Sequence, residues 1–321
     1  MGELVKLAVV GAGGIGGYFG GRLAAAGHDV RFVARGAHLE ALRHDGLSVE
    51  GPAGGFHVAP ERLGATGDTR DIGAVDFVLL GVKTWQLPDA IDALAPLIGP
   101  GTAVVTTQNG VRAPAEVARA VGKDAVLPGS AKIITQLEGP GRVRHVGGLG
   151  ALAFGEWDNR PSHRVEHLRT ALTGAGVTAA EPQDIWAELW AKFMFVVPLG
   201  GLGAITDAPI GTVRTRPGTR RMLVAAMTEI QHLAEAAEVQ LPDDIVEETL
   251  AFVDRQPAAG TTSLHRDMAA GRRSELDAWT GSVVRLGARL GIPTPVNGFL
   301  YDVLGLREAR SAELRGEGDA G

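Results

Sequence analysis

Leu7-Ala8-Val9-Val10-Gly11-Ala12-Gly13-Gly14-Ile15-Gly16 is the stretch that decides the fold. A short apolar run, residues 7–10, stops at a glycine, and the small apolar segment 15–26 that follows reads as a helix. Gly11, Gly13 and Gly16 fit the spacing G-x-G-x-x-G, which carries meaning where a strand precedes it and a helix follows. Gly11 permits the tight turn, Gly13 lets the backbone approach a pyrophosphate, and Gly16 lets the helix pack close to the strand. Unpaired N–H groups at the helix start then face the anion. Gly11, Ala12, Gly13, Gly14, Ile15 and Gly16 are therefore read as a dinucleotide-binding loop in preference to a merely structural turn.

Outward from this loop, strands and helices alternate. Residues 29–34 form a second strand candidate, and 75–82 (VDFVLLGV) is a near-continuous apolar run of the kind buried on both faces of a parallel sheet. Residues 102–107 and 125–127 continue the series, so the N-terminal part is expected to be α/β, a Rossmann-type doubly wound sheet. Residues 143–154 are glycine-rich and are read as late antiparallel strands closing that sheet. From 184 to 306 the pattern is helical, with breaks expected at 198–203, 209–211, 217–218, 242 and 257–260. The expected organisation is a nucleotide-binding domain over 1–180, an all-helical domain over 181–308 and a polar, fraying tail over 309–321.

The second strand ends Phe32-Val33-Ala34-Arg35. An NAD site places an acidic residue about 20 positions beyond the glycine loop to hold the ribose hydroxyls. Arg35 stands there instead, and a guanidinium pairs bidentately with a 2′-phosphate. Arg35 is read as favouring NADPH; the alternative is a solvated arginine after a strand.

Composition narrows the classes. Thirty-one Lys and Arg against 37 Asp and Glu give a net charge of −6, which disfavours a general nucleic-acid or anionic-membrane binder. The 46 glycines have no collagen-like period and read as turns and close approaches. Cysteine is absent, which excludes disulfides, thiolate metal sites, iron–sulfur clusters and a cysteine nucleophile. The start does not read as a signal peptide, and the apolar stretch 193–205 is too short for the ~20 residues that a membrane span needs. A soluble cytoplasmic protein is expected.

Three further motifs bear on chemistry. Lys83 follows the buried strand in Val82-Lys83-Thr84-Trp85-Gln86, and Asn109 follows the next in Gln108-Asn109-Gly110. Both fall at the carboxyl end of the sheet, where such folds bind ligands. Taken alone, they are equally a surface lysine and a turn asparagine. Lys192 is more informative, because Trp190, Phe193, Met194 and Phe195 surround it in sequence and an uncompensated charge there is costly. His163 and His167 have metal-compatible spacing, but Arg164, Glu166 and Arg169 make a solvated helix face the better reading. Arg214, Arg216, Arg220 and Arg221 are read as a solvated helix start. Met222, Met227 and Leu233 are read as core or dimer contacts, which leaves a homodimer open.

The order GAGGIG, Arg35, VKTWQ, QNG, AELWAKF, TTSLHRD and SELD resembles the ketopantoate reductase (2-dehydropantoate 2-reductase) family from Val5 to about Leu304. The resemblance implies a Rossmann domain, a helical domain and an active site in the cleft between them. It implies NADPH-dependent reduction of a small 2-oxo acid to a (R)-2-hydroxy acid, in the pathway to pantothenate. By the same resemblance Lys192 is the proton donor and also contacts the substrate, and Lys83 and Asn109 line the cleft near nicotinamide and substrate. Thr135 falls where the backbone passes the cofactor, Ser263 matches a substrate-contacting serine, and Glu275 matches the glutamate that closes over cofactor and lysine. The chain departs from the family at three asparagine positions, which are Val196, Gly200 and Ile210 here. Those departures point to a 2-oxo acid or ketone with a more apolar side chain. Two other readings stand beside these: a non-catalytic NADP-sensing protein, and a hydroxy acid dehydrogenase oxidising its substrate with NAD. No metal is expected.

Overall fold

A computed structural model describes residues 3–52, 54–314 and 316. The chain divides into two compact units, Met1–Asn109 with Ala113–Glu188, and Gly110–Arg112 with Leu189–Gly321.

In chain order the first unit contains β1 (Lys6–Val10), α1 (Gly14–Ala25), β2 (Asp29–Val33), α2 (Gly36–His44), β3 (Leu47–Glu50), β4 (Phe56–Val58), β5 (Gly64–Thr66), β6 (Phe77–Leu80), α3 (Leu87–Asp92), β7 (Ala103–Thr106), α4 (Ala113–Val121), β8 (Val126–Leu127), β9 (Gly129–Gly139), β10 (Arg142–Phe154), α5 (His163–Gly174) and β11 (Thr178–Ala180). Six strands form a parallel sheet in the order β5-β2-β1-β6-β7-β8. The order reverses at β1, so the loops after β1, β6 and β7 open at one carboxyl edge. Side chains alternate between two buried layers. Leu7, Val9, Phe77, Leu79 and Val105 pack with Phe19, Leu23 and Phe154. Ala8, Val10, Val78, Leu80 and Val104 pack with Leu87, Leu97 and Val117. Burial on both faces is why these strands read as unbroken apolar runs.

The glycine-rich stretch does not close this sheet. Residues 142–154 form one long strand, β10, which pairs antiparallel with β9 and parallel with β3 and β11; β4 completes a second, five-stranded sheet. Strand β8 has only two residues and gives little edge to extend. The glycines serve register shifts in the hairpin, between His145 and Gly147 and between Gly148 and Ala151, rather than a turn back to the parallel sheet.

The second unit is helical: α6 (Ile185–Thr206), α7 (Ile210–Thr215), α8 (Pro217–Ala236), α9 (Ile245–Arg255), α10 (Ser263–Ala269), α11 (Thr280–Leu290) and α12 (Pro295–Leu314). Its division from the first unit falls after Glu188, inside α6, rather than at residue 180. The first turn of α6 is held by the first unit: Asn159 Oδ1 accepts from Ile185 N–H at 2.9 Å, and the Trp186 indole donates to Trp157 O at 3.0 Å.

The break expected at 198–203 is absent, and α6 runs through Pro198. An interior proline costs a helix about 3 kcal/mol, which the burial of Phe193, Met194, Val197, Leu199 and Leu202 offsets. Its glycines mark close packing instead. A β-carbon at Gly201 would lie 3.0 Å from Leu300 Cδ1, and one at Gly203 would lie 3.3 Å from His265 Nδ1. At 22 residues α6 is long and apolar enough to cross a membrane by length and composition, which corrects the reading from length; two thirds of that window is buried in the protein, as in a core helix. Helix α12 likewise continues past Arg307 to Leu314; Arg307 donates to Ala204 O at 2.6 Å, and residues 315 and 317–321 lie outside the described residues.

Two polar clusters also differ from their reading. Arg214 donates to Val253 O and Gln256 O at 2.8 and 2.6 Å, and Arg220 pairs with Asp254, so these arginines fasten α9 rather than only facing solvent. His167 is half-buried against Phe77, with ring centroids 5.9 Å apart. Met227 and Leu233 are fully buried core residues and Met222 is half-buried.

Candidate active site

The glycine loop joins β1 to α1. Gly11 takes φ +95°, and a β-carbon there would lie 2.6 Å from Val82 Cγ1, so only glycine fits the turn. At Gly16 a β-carbon would collide with Gly11 O. Gly81, after β6, completes the packing: a β-carbon on it would lie 2.6 Å from Gly11 O and 2.8 Å from Gly16 N. Gly13 behaves differently. A side chain at Gly13 would meet no protein atom within 4 Å, and no side chain caps α1. The loop therefore borders open space with uncapped N–H groups beside it, the arrangement that accepts a pyrophosphate. Ala12 is buried and Ile15 is half-buried against the first core layer. Strand β9 brings Thr135 to the start of α1, where its Oγ1 lies 2.5 Å from the place a β-carbon on Gly14 would occupy.

Arg35 is exposed at the N-cap of α2, directly after β2, and among the described residues no ion pair engages its guanidinium. Lys83 and Asn109 sit on neighbouring loops at the same sheet edge, both half-buried. The Lys83 N–H donates to Gln86 Oε1 at 3.1 Å, and its ammonium lies 5.6 Å from the Trp85 ring centre. The fastening between these two loops is Gln108, which the motif reading passed over as part of QNG. Its buried amide donates to Leu80 O at 2.8 Å and to Val82 O at 3.0 Å, while Thr107 Oγ1 donates to Leu80 O at 2.6 Å. Gln108 thus ties the residue before Asn109 to the residue before Lys83.

In the second unit Lys192 is half-buried and is the only cation on α6, among buried Trp190, Phe193 and Met194. Ser263 opens α10, whose N-terminus is capped by Thr262 Oγ1 accepting from His265 N–H at 3.2 Å. Glu275 is buried in the segment before α11. That segment is fixed on both sides. Glu308 accepts from Ser274 N–H at 2.7 Å, and Trp279 N–H donates to Glu275 O at 2.9 Å. Asp277 accepts from Arg285 at 2.7 Å and from the Tyr301 hydroxyl at 2.8 Å. Burial pushes the Asp277 carboxyl up, but the hydrogen bonds from Arg285 and Tyr301 outweigh it and hold the group below the usual carboxylate range.

The positions of the missing asparagines are filled by apolar groups. A β-carbon on Gly200 would lie 3.2 Å from Trp279 Cζ3 and 3.3 Å from Leu264 Cδ2. Ile210 is buried, with its Cδ1 3.1 Å from the β-carbon place of Gly260, and Val196 is half-buried. Among the described residues no three His, Asp or Glu side chains are grouped to hold a metal.

Residues 7–159 match the family model described as ketopantoate reductase PanE/ApbA, and residues 184–308 match its C-terminal model. A 2-dehydropantoate 2-reductase of Mesorhizobium japonicum is 34% identical, over 91% of this chain and 94% of that protein. The crystal structure of a PanE/ApbA family ketopantoate reductase from Ralstonia eutropha superposes with a TM-score of 0.86 at 32% identity, covering 95% of this chain and 99% of the other. A D-mandelate dehydrogenase solved with NADH and anilino(oxo)acetate shares the fold, with a TM-score of 0.86 at 22% identity over 95% and 99% of the two chains. The chain belongs to the ketopantoate reductase family, a family of oxidoreductases.

Proposed function

We propose that this family member reduces a 2-oxo acid to a (R)-2-hydroxy acid with NADPH, by the 2-dehydropantoate 2-reductase type of reaction. The observation that carries the reading is Lys192, one ammonium set in the apolar wall of α6. The glycine loop and the uncapped start of α1 fit a pyrophosphate, and Arg35 fits a 2′-phosphate. When bound, the nicotinamide supplies a hydride to the carbonyl carbon.

The chain's own residues do the rest. Lys192 carries a proton at Nζ as an ammonium. Its charge stabilises the oxygen as negative charge develops there, and Nζ then delivers the proton to it. A substrate carboxylate calls for a cation or a hydroxyl, which Lys83 carries in the first unit and Ser263 in the second. Asn109 offers an amide beside it, and Glu275 orients the Lys192 ammonium. A Lys192→Ala variant tests this: kcat should fall about 10²–10⁴-fold while NADPH still binds. Retained turnover would overturn the role of Lys192, and NADPH binding without turnover in the wild type would favour a sensor.

A second reading concerns the substrate side chain. Trp279 and Leu264 over Gly200, with Ile210 and Val196, favour a 2-oxo acid with an apolar side chain over ketopantoate. A pocket lacking partners for a polar group penalises that group by ~1–3 kcal/mol. Comparing kcat/KM for ketopantoate with branched and aromatic 2-oxo acids decides between them; a clear ketopantoate preference removes this second reading.

A further inference from the structure

We infer that His38 is a positioning residue, a neutral imidazole that sets the phosphate-binding loop from the second helix. The inference rests on the dinucleotide reading above. His38 is the third residue of α2. Its Nε2 lies 2.7 Å from Ala12 O, inside the glycine loop, and its Nδ1 lies 3.0 Å from Gly141 N, at the turn of the β9–β10 hairpin. Both partners are backbone groups with fixed roles. A carbonyl only accepts, so Nε2 carries the hydrogen; an N–H only donates, so Nδ1 keeps its lone pair. An imidazolium would set a second N–H against that of Gly141.

The contact with Ala12 has a direct effect on the loop. In a trans peptide the carbonyl and the following N–H point to opposite sides. Drawing Ala12 O to the imidazole turns the Gly13 N–H away from it, and Gly13 is the loop residue that borders open space. Gly141 is itself held firmly. It takes φ +67°, its carbonyl accepts from Ser48 N–H at 2.9 Å, and a β-carbon on it would lie 3.0 Å from Gly46 O and 3.3 Å from Ala41 Cβ. The hairpin turn therefore braces His38, and His38 braces the loop. Arg35 stands at the N-cap position of the same helix, so α2 carries both the brace for the shared pyrophosphate and the cation for the 2′-phosphate.

The two functions separate in binding measurements. Kd for NADPH and for NADH is measured on wild type, His38→Ala and His38→Gln, with thermal melts and kcat at saturating cofactor. Loss of the hydrogen bond to Ala12 O should weaken both dinucleotides by about 10-fold in His38→Ala, with their ratio unchanged. Glutamine offers an amide donor and acceptor to the same two backbone groups, and His38→Gln should bind within about 3-fold of wild type. Nitrogen NMR of the wild type should show His38 protonated at Nε2 and bare at Nδ1. His38→Ala binding both nucleotides as wild type does, a folded His38→Gln as weak as a folded His38→Ala, or a proton on Nδ1 would each overturn the role. If His38→Ala does not fold, a weak but folded His38→Gln overturns it and a tight one supports it. A wild type that binds neither dinucleotide overturns the functional reading and this role together.

Discussion

Gly200 lies against the indole of Trp279, so that a β-carbon at Gly200 would stand 3.2 Å from Cζ3 of the ring. Trp279 is fully buried and Leu264 closes the other side at 3.3 Å. The place where the family carries an amide is thus filled from a neighbouring segment, and restoring the asparagine alone overfills it. Gly200→Asn should cost about 1–3 kcal/mol, read as a lower Tm, and give no gain with ketopantoate. Gly200→Asn combined with Trp279→Leu should recover stability and raise kcat/KM for ketopantoate. A stable single variant that gains ketopantoate activity would show that the indole is not the obstacle.

Arg35→Asp should reverse the cofactor preference. On the NADPH reading it removes the charge-assisted pair proposed for the 2′-phosphate, worth roughly 1.5–3 kcal/mol, and adds an acceptor for ribose hydroxyls. The ratio of kcat/KM for NADPH to that for NADH should fall by about 10- to 100-fold. An unchanged ratio would mean that Arg35 is a solvated helix cap.

Gln108→Leu keeps the shape of the side chain and removes both donors to Leu80 O and Val82 O. Leu80 O keeps the Thr107 hydroxyl at 2.6 Å, while Val82 O loses its Gln108 donor at a cost of ~1–3 kcal/mol. The loops ending in Lys83 and Asn109 lose their tie, so kcat/KM should fall by more than the loss of Tm alone would produce. Gln108→Glu should be worse, since a carboxylate would face two carbonyl oxygens. Wild-type kinetics in Gln108→Leu would place Gln108 outside the site.

His28 supplies a pH dependence. Burial, and then the neighbouring His167, hold its imidazole below the ordinary histidine range, and its Nδ1 accepts from Val5 N–H at 3.2 Å. The folded value lies below the unfolded one, so the unfolded chain takes up the proton first on acidification. This contribution to stability is complete above the unfolded value of 6.5 and is lost as pH falls through the folded value. Tm should drop between neutral and mildly acidic pH, and less so in His28→Asn, whose amide oxygen can still accept from Val5. Parallel curves for the two proteins would assign the acid sensitivity elsewhere.

The parallel sheet was legible in the sequence because its strands are buried on both faces, as Phe77–Leu80 and Ala103–Thr106 show. The glycine loop was legible because its spacing has one geometric solution. The second sheet was not, because β3, β4 and β11 have three or four residues each and leave no period to read. The glycines of α6 read as breaks because local propensity does not register Trp279, Leu264, Leu300 and His265 arriving from distant segments. Gln108 and His38 escaped notice for a similar reason. Their partners, Leu80 and Val82 in one case and Ala12 and Gly141 in the other, are backbone groups 26 to 103 residues away, and a backbone group has no letter in the sequence.

Gly11, Gly16 and Gly81 meet with main chain against main chain, and even a methyl group on any of them has nowhere to go. Directed evolution toward a new dinucleotide must therefore leave this triangle alone, since no single codon change there offers selection an intermediate that still packs. Variation has room at the tip of β2, where Arg35 faces solvent, so redesign of coenzyme choice starts at the sheet's edge and not in its turn.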